Sequence, residues 1–347
     1  MNRYGKPCRE YLKYTAAYFD IAENESATTH TDRVRELYLR QPLRQHCKMC
    51  NEPISGTSFT SSNIGHFVCI ACGHVNGAHD DTAEFCRQLY VGDDSGHLAR
   101  HYASADKEAY FDRVRDIYAE KAKFLFQTIR DSGNRPEDLS YADLGAGSGY
   151  FVAALLDQGA TKVSGYEVSV PQIDFGNKML EGSHLCHHDP DELVELASKV
   201  EADVVTMVFV LEHVRQHGEV LNALRRNRHV RYLFIGVPVF GLSNFLEPAF
   251  PAVFARHTGG HTHFYTRESI AWMCQAYNFE SIGEWWFGAD IVDLVRSVSI
   301  CLKQRKDCEG AAEVWEEMLM PLIDNLQLEV DRAHLASEVH LVLKCAE

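Results

Sequence analysis

The chain has 347 residues, 46% apolar and 24% charged, an ordinary globular composition and enough length for two domains. Its net charge of −15 excludes a broad nucleic-acid surface, which needs many Lys and Arg contacts to phosphate, but leaves room for a small anion held by a few local cations. Eleven cysteines, an odd number, argue against a disulfide framework; the first six residues carry charge but no apolar run follows, and the most apolar stretch, 204–211, is too short for a bilayer, so a cytoplasmic location is expected.

Residues 1–40 read as a polar, aromatic docking arm of two helices, 9–21 and 31–40, with Thr31 as the N-cap of the second. Two C-x2-C pairs follow, Cys47 with Cys50 and Cys69 with Cys72, and the spacing predicts one tetrahedral zinc ion. Residues 56–68 between them alternate like the hairpin of a zinc ribbon. Four thiolates leave no open position on the ion, so a structural metal is expected, with His66 and His74 as neighbours. From Cys47 to Asp81 only Lys48 is a lysine or arginine, which argues against a nucleic-acid role for the ribbon.

The acidic stretch 80–100, with Val91-Gly-Asp-Asp-Ser-Gly96, reads as a connector, so the domains are expected at 1–100 and 101–347. Apolar residues at helical spacing over 107–130 predict a helix against a sheet face. Tyr102 and Tyr110 are aromatic candidates for substrate contact or for packing.

Tyr141-Ala-Asp143-Leu-Gly145-Ala-Gly147-Ser-Gly149 reads as a strand running into a glycine turn and a helix. Glu167 ends the next strand, about 20 residues beyond the turn, where a carboxylate meets ribose hydroxyls in a βαβ unit. The glycines are spaced G-x-G-x-G, whereas a dinucleotide site has G-x-G-x-x-G, and Asp143 would sit badly beside a pyrophosphate. The run Asp-Leu-Gly-Ala-Gly-Ser-Gly resembles motif I of class I S-adenosylmethionine-dependent methyltransferases. That cofactor brings an ammonium and a sulfonium, beside which an acid is favourable.

Strand and helix then alternate, as in a doubly wound α/β sheet. Asp189 closes a third strand and is a candidate for the adenine amino group or for a helix N-cap. The apolar strand 202–210 delivers Glu212 and His213 to its carboxyl end, where open α/β sheets bind ligands. The irregular stretch 240–263 reads as a lid or binding loop, 289–333 as a helical insertion with a break near 307–310, and 337–344 as the last strand.

The cysteine pairs ahead of this core resemble bacterial nucleotide-sugar methyltransferases, among them a C-3′-methyltransferase group with an N-terminal zinc-binding domain. The resemblance implies a Rossmann-like, seven-stranded sheet, S-adenosylmethionine bound through Asp143, Gly145, Gly147, Gly149, Glu167, Asp189 and Glu212, and reaction-site histidines at His213 and His263. Where that group has Tyr-x-Glu-His, this chain has His261-Thr262-His263, so a possible base is lost. O-methylation of a sugar hydroxyl, with an imidazole base titrating at pH 6 to 7, is therefore expected over C-methylation. His213 reads equally as a helix cap, and His261 with His263 and Glu212 or Glu247 offers a metal set. Trp285-Trp286 reads as a stacking surface or as core. The expected partner is a small nucleotide-linked sugar, with no nucleic acid and no membrane, and a homo-oligomer left open; the alternatives are deoxysugar C-methylation, a natural-product acceptor and a non-catalytic scaffold.

Overall fold

A computed structural model of the protein describes residues 1–54, 58–90, 106–255, 257 and 260–345. Within the expected connector 80–100, Ala83–Tyr90 form a helix, and the remainder, 91–100, lies with Tyr102 outside the described residues. The strands, in chain order, are β1 (Asn2–Tyr4), β2 (Ser58–Ser61), β3 (Ile64–Val68), β4 (Val75–Gly77), β5 (Ser140–Leu144), β6 (Lys162–Glu167), β7 (Leu185–His187), β8 (Val204–Val208), β9 (Tyr232–Pro238), β10 (His263–Phe264), β11 (Phe279–Phe287) and β12 (Glu338–Cys345).

The larger sheet has the order β1-β11-β12-β9-β8-β5-β6-β7. Strands β7, β6, β5, β8 and β9 are parallel, while β12 runs antiparallel between β9 and β11. This is the doubly wound α/β sheet that the alternating pattern predicts. It carries one strand more than the expected seven, because β1 pairs in parallel with β11 through Asn2 to Tyr4 and Glu284 to Trp286. The central strand β8, Val-Val-Thr-Met-Val, is apolar except for Thr206 because both faces of the sheet are covered. Helices Ala119–Asp131 and Tyr150–Asp157 build the core on one face, and helices His217–Arg226 and Arg267–Ala276 build it on the other.

Three local differences from the expected elements bear on the site. The N-terminal helices are Cys8–Thr15 and Ile21–Leu39, with Asp20 and not Thr31 as the N-cap of the second. Thr31 instead lies inside that helix, donating its hydroxyl to the Ala27 carbonyl. The helix expected over 107–130 is interrupted at Val114–Tyr118 by a wider π turn, a feature that often marks functional sites. The insertion after residue 289 forms three helices, Asp290–Lys303, Ala311–Leu319 and Ile323–Arg332.

The smaller sheet has the order β10-β4-β3-β2. Its outer strand, β10, comes from the C-terminal half, while β1 crosses in the other direction to the edge of the large sheet. The expected division near residue 100 is thus bridged by strand pairing from both sides.

Candidate active site and cysteine cluster

Gly145, Gly147 and Gly149 all have positive φ, at 73°, 54° and 76°. At Gly145 a Cβ would also come within 2.5 Å of Val210 Cγ2, so both backbone and packing require glycine. Glu167 fixes the turn from β6: its Oε2 accepts from Gly147 N–H at 2.8 Å, and its Oε1 accepts from Val168 and Ser169 N–H at 2.9 Å. Asp143 lies beneath the turn, 2% exposed, accepting from the Thr206 hydroxyl at 2.5 Å. Burial pushes its pKa up to about 7, against the lowering effect of that hydrogen bond. Tyr110 packs here rather than facing a ligand, stacked on Tyr150 and donating to the Ser148 carbonyl at 2.9 Å.

A cavity of about 700 Å³ opens at this edge, with Gly145, Gly147 and Glu167 in its wall. His213 and His261 line it as well. Glu212 sits behind them, 1% exposed, with neither carboxylate oxygen hydrogen-bonded among the described residues. Burial pushes its pKa up to about 8. Burial also pushes the His213 imidazole down, to about 4, although 24% of its side chain is exposed where it lines the cavity.

His263 is not brought to the cavity wall. It is fully buried, donating from Nε2 to the Glu212 carbonyl at 2.9 Å and accepting at Nδ1 from His74 Nε2 at 2.8 Å. Both ring nitrogens are therefore engaged, which leaves it without a lone pair for an acceptor proton. The pairing of His261 with His263 as a metal set fails for the same reason, and Glu247 instead accepts from the His257 backbone N–H. Asp189 does not line the cavity; its side chain caps the turn Pro190–Glu192 by accepting from Asp191 N–H. Trp285 and Trp286 are core, each with its indole N–H hydrogen-bonded, to the Gly5 carbonyl and to Glu284.

The rest of the wall comes from segments without a sequence motif. Tyr11, Tyr14, Tyr18 and His30 of the N-terminal segment line the cavity, so this arm forms part of the site. Lys6, Arg113 and Lys121 line it too. Lys6 donates to the Ile117 carbonyl within the π turn at 3.1 Å. Phe209, three residues before Glu212, takes a φ of 58°, a strained conformation of the kind stored at functional sites. Lys121 Nζ lies 4.8 Å from the centroid of its ring. Helical spacing shows Lys121 only as one more lysine on a long helix, and no sequence signal separates it from a surface residue.

The four cysteines come together as the spacing predicts, with one sulfur of each within 4.8 Å of the others. Cys47 and Cys72 Sγ are 3.6 Å apart, and Cys50 and Cys69 Sγ 3.5 Å. Thiolates around a tetrahedral ion with bonds of about 2.3 Å would be separated by about 3.8 Å, so the set fits zinc. Each pair sits on the same kind of turn: Asn51 N–H donates to the Cys47 carbonyl and Gly73 N–H to that of Cys69. Asn76 Nδ2 donates to Cys47 Sγ at 3.4 Å. His74 is a neighbour of this cluster, as expected, and His66 stacks on Phe59.

A methyltransferase-domain family matches residues 110–283, half of the chain. The chain belongs to this methyltransferase family. No curated protein sequence matches it. Similar solved structures include the magnesium protoporphyrin IX methyltransferase ChlM of Synechocystis PCC 6803 with S-adenosylhomocysteine bound, 16% identical over 58% of this chain and 90% of that one, with a TM-score of 0.41. Another is the geranyl diphosphate C-methyltransferase of Streptomyces coelicolor A3(2), 13% identical over 70% of this chain and 85% of that one, with a TM-score of 0.43. Among the described residues of the methyltransferase, no helix is long and apolar enough to cross a membrane.

Lys121 gives the methyltransferase a measurable pH signature. Its side chain is almost wholly buried, the residue being 4% exposed, and desolvation pushes its pKa down from 10.5 to about 7. Below pH 7 the folded chain bears the full cost of a buried ammonium. From about pH 7 to 10.5 the unfolded chain binds the extra proton, so this contribution becomes less unfavourable as pH rises. Lys121→Met should therefore stabilise the fold by roughly 2–4 kcal/mol at pH 7, with the gain shrinking toward pH 10. Denaturant unfolding at the two pH values checks this, and a destabilised variant at pH 7 would refute it.

Proposed function

We propose that the protein transfers a methyl group from S-adenosylmethionine to a hydroxyl of a small phosphorylated acceptor, a nucleotide-linked or otherwise activated sugar, in the cytoplasm. The observation that carries this reading is the cationic wall of Lys6, Arg113 and Lys121 in a chain of net charge −15. Glu338 shares this wall, and a bound diphosphate beside Lys6, Arg113 and Lys121 would favour the charged form of Lys121, which burial otherwise holds near 7. The nearby tyrosines offer rings to stack on a base or sugar and hydroxyls to hydrogen-bond it. Thr262 in place of a glutamate favours oxygen over carbon as the acceptor atom.

The donor set at the turn fits the cofactor. Three backbone N–H groups occupy part of the Glu167 carboxylate, and Oε2, with a single partner among the described residues, keeps acceptor capacity for a ribose hydroxyl. Asp143 and Gly145 to Gly149 would hold the amino-acid end, where the cofactor's ammonium would favour the ionised form of Asp143. When bound, S-adenosylmethionine supplies an electrophilic methyl group. The chain's part is to orient the acceptor oxygen and draw off the hydroxyl proton beside Glu212, His213 and His261. Calorimetry should show binding of S-adenosylhomocysteine, weakened by about 1.5–3 kcal/mol in Glu167→Ala. Binding of NAD alone would overturn the cofactor assignment.

The acceptor is tested by incubating the protein with S-adenosylmethionine and a panel of nucleoside-diphosphate sugars and their uncharged parent glycosides. Methylated product detected by mass spectrometry should form from the charged members only. Lys121→Met should raise KM for that acceptor about tenfold or more while leaving S-adenosylhomocysteine binding intact. A preference for the uncharged glycosides would refute the phosphate reading.

The cysteine cluster is proposed to hold one structural zinc that stabilises the small sheet. Metal analysis of the purified protein should return one zinc per chain, and Cys69→Ser should lower both zinc content and Tm. A folded protein free of metal, with an unchanged Tm in the variant, would contradict it.

A further inference from the structure

We infer that Glu212, His213 and His261 form a second metal site, a divalent-cation centre of carboxylate and imidazole ligands on the cavity wall. The inference rests on the proposed transfer to a hydroxyl, because it assigns the means by which that hydroxyl is activated.

One ligand atom from each of the three residues lies within 4.8 Å of the other two. Bonds of about 2.0–2.2 Å to nitrogen and oxygen bring ligand atoms to separations of about 3 to 4 Å, which small side-chain rotations reach from here. Independent of that spacing, Glu212 is 1% exposed and neither of its oxygens has a hydrogen-bond partner among the described residues. His213 Nε2 lies 3.8 Å from its Oε1, beyond hydrogen-bond range. A buried carboxylate left in this condition costs several kcal/mol or more unless something meets its lone pairs. A trapped water can bridge Glu212 to a neighbouring imidazole, but it brings no charge to balance the carboxylate. A cation placed among all three uses the carboxylate and the two imidazoles together.

The surroundings hold these ligands in place. The turn Leu211–His213 presents two of them consecutively at the end of β8, and its backbone is pinned where His263 donates to the Glu212 carbonyl. The third, His261, stacks on the His213 ring at 5.4 Å between centroids, and its Nδ1 lies 3.4 Å from that of His257. Partners that orient the ligands in this way commonly support metal sites. The set contains no sulfur, so its chemistry differs from that of the cysteine cluster and suits a harder first-row ion such as Mn2+.

His213 and His261 both face the cavity, so an ion held by them is within reach of the acceptor. Coordinated there, the acceptor hydroxyl loses its proton to solvent water more readily. The oxygen lone pair then forms the new C–O bond as the methyl–sulfur bond breaks, its electron pair passing to sulfur, so that a methyl ether and S-adenosylhomocysteine result.

The test is titration of the zinc-loaded full-length protein with Mn2+, followed by loss of the free-ion electron paramagnetic resonance signal. The wild type should take up one Mn2+ per chain. Glu212→Gln and His261→Ala should each weaken that uptake by about tenfold or more. Tm and S-adenosylhomocysteine binding, measured on the same samples, separate loss of the site from loss of the fold. Absence of Mn2+ uptake by wild-type protein that binds S-adenosylhomocysteine would overturn the site, as would uptake unchanged in both variants. Uptake that depends on Glu212 and His261, in a protein that methylates no nucleotide sugar, would uphold the metal site and refute the acceptor reading. Methylation of such a sugar at full rate with no uptake would do the reverse.

Discussion

The site depends on one carboxylate used in several directions. Glu167 ends β6 and takes backbone N–H groups from its own strand end and from the glycine turn that follows β5. A turn with three left-handed glycines has little conformational preference of its own, and glycine loses much entropy when it is ordered. Charge-assisted hydrogen bonds to a buried acceptor offset that loss and place the turn at the cavity wall. Once it is fixed, the helix Tyr150–Asp157 starts where its apolar face meets the sheet, and the floor of the cavity is set.

A second constraint joins the cysteine cluster to the reaction edge. His74, two residues beyond Cys72, donates to His263, and His263 donates to the backbone of Glu212. Burial pushes both imidazoles down, so each is held neutral with one donor and one acceptor nitrogen, and the direction of the chain is defined. Strand β10, which carries His263, also pairs with β4 of the small sheet. The small sheet is thereby a wall of the catalytic half, and the order of the cysteine turns bears directly on where the Glu212 backbone lies.

What could be read in the sequence was whatever is encoded at short range. The glycine turn, the acid one strand later and the two cysteine pairs each follow from spacing within a single unit, and all appear where their spacing placed them. The tyrosines of the N-terminal arm and Lys121 were not legible, since their role comes from contacts across more than a hundred residues and their local pattern is that of ordinary amphipathic helices. The histidines 261 and 263 show a subtler failure. Both fall in the irregular stretch 240–263, where no periodicity separates the directions their side chains take. Strand β10 begins only at His263, so His261 is outside its register and reaches the cavity while its neighbour enters the core. The loss of the expected His263 role is therefore a matter of where a two-residue strand starts.

The pairing of β1 with β11 has a bearing on how the chain acquires its shape. Asn2 to Tyr4 meet partners about 280 residues further on, so this strand has no place to go until Trp285 and Trp286 have been made. At roughly 5–20 residues per second that wait is on the order of tens of seconds. Throughout it, the tyrosine-bearing helices that wall the cavity lack the surface they rest on. Closing so long a loop makes this a late event, after the central parallel strands have found one another. The cavity is thus expected to be the last part of the protein to take shape, well after the cysteine turns at residues 47–72 have emerged.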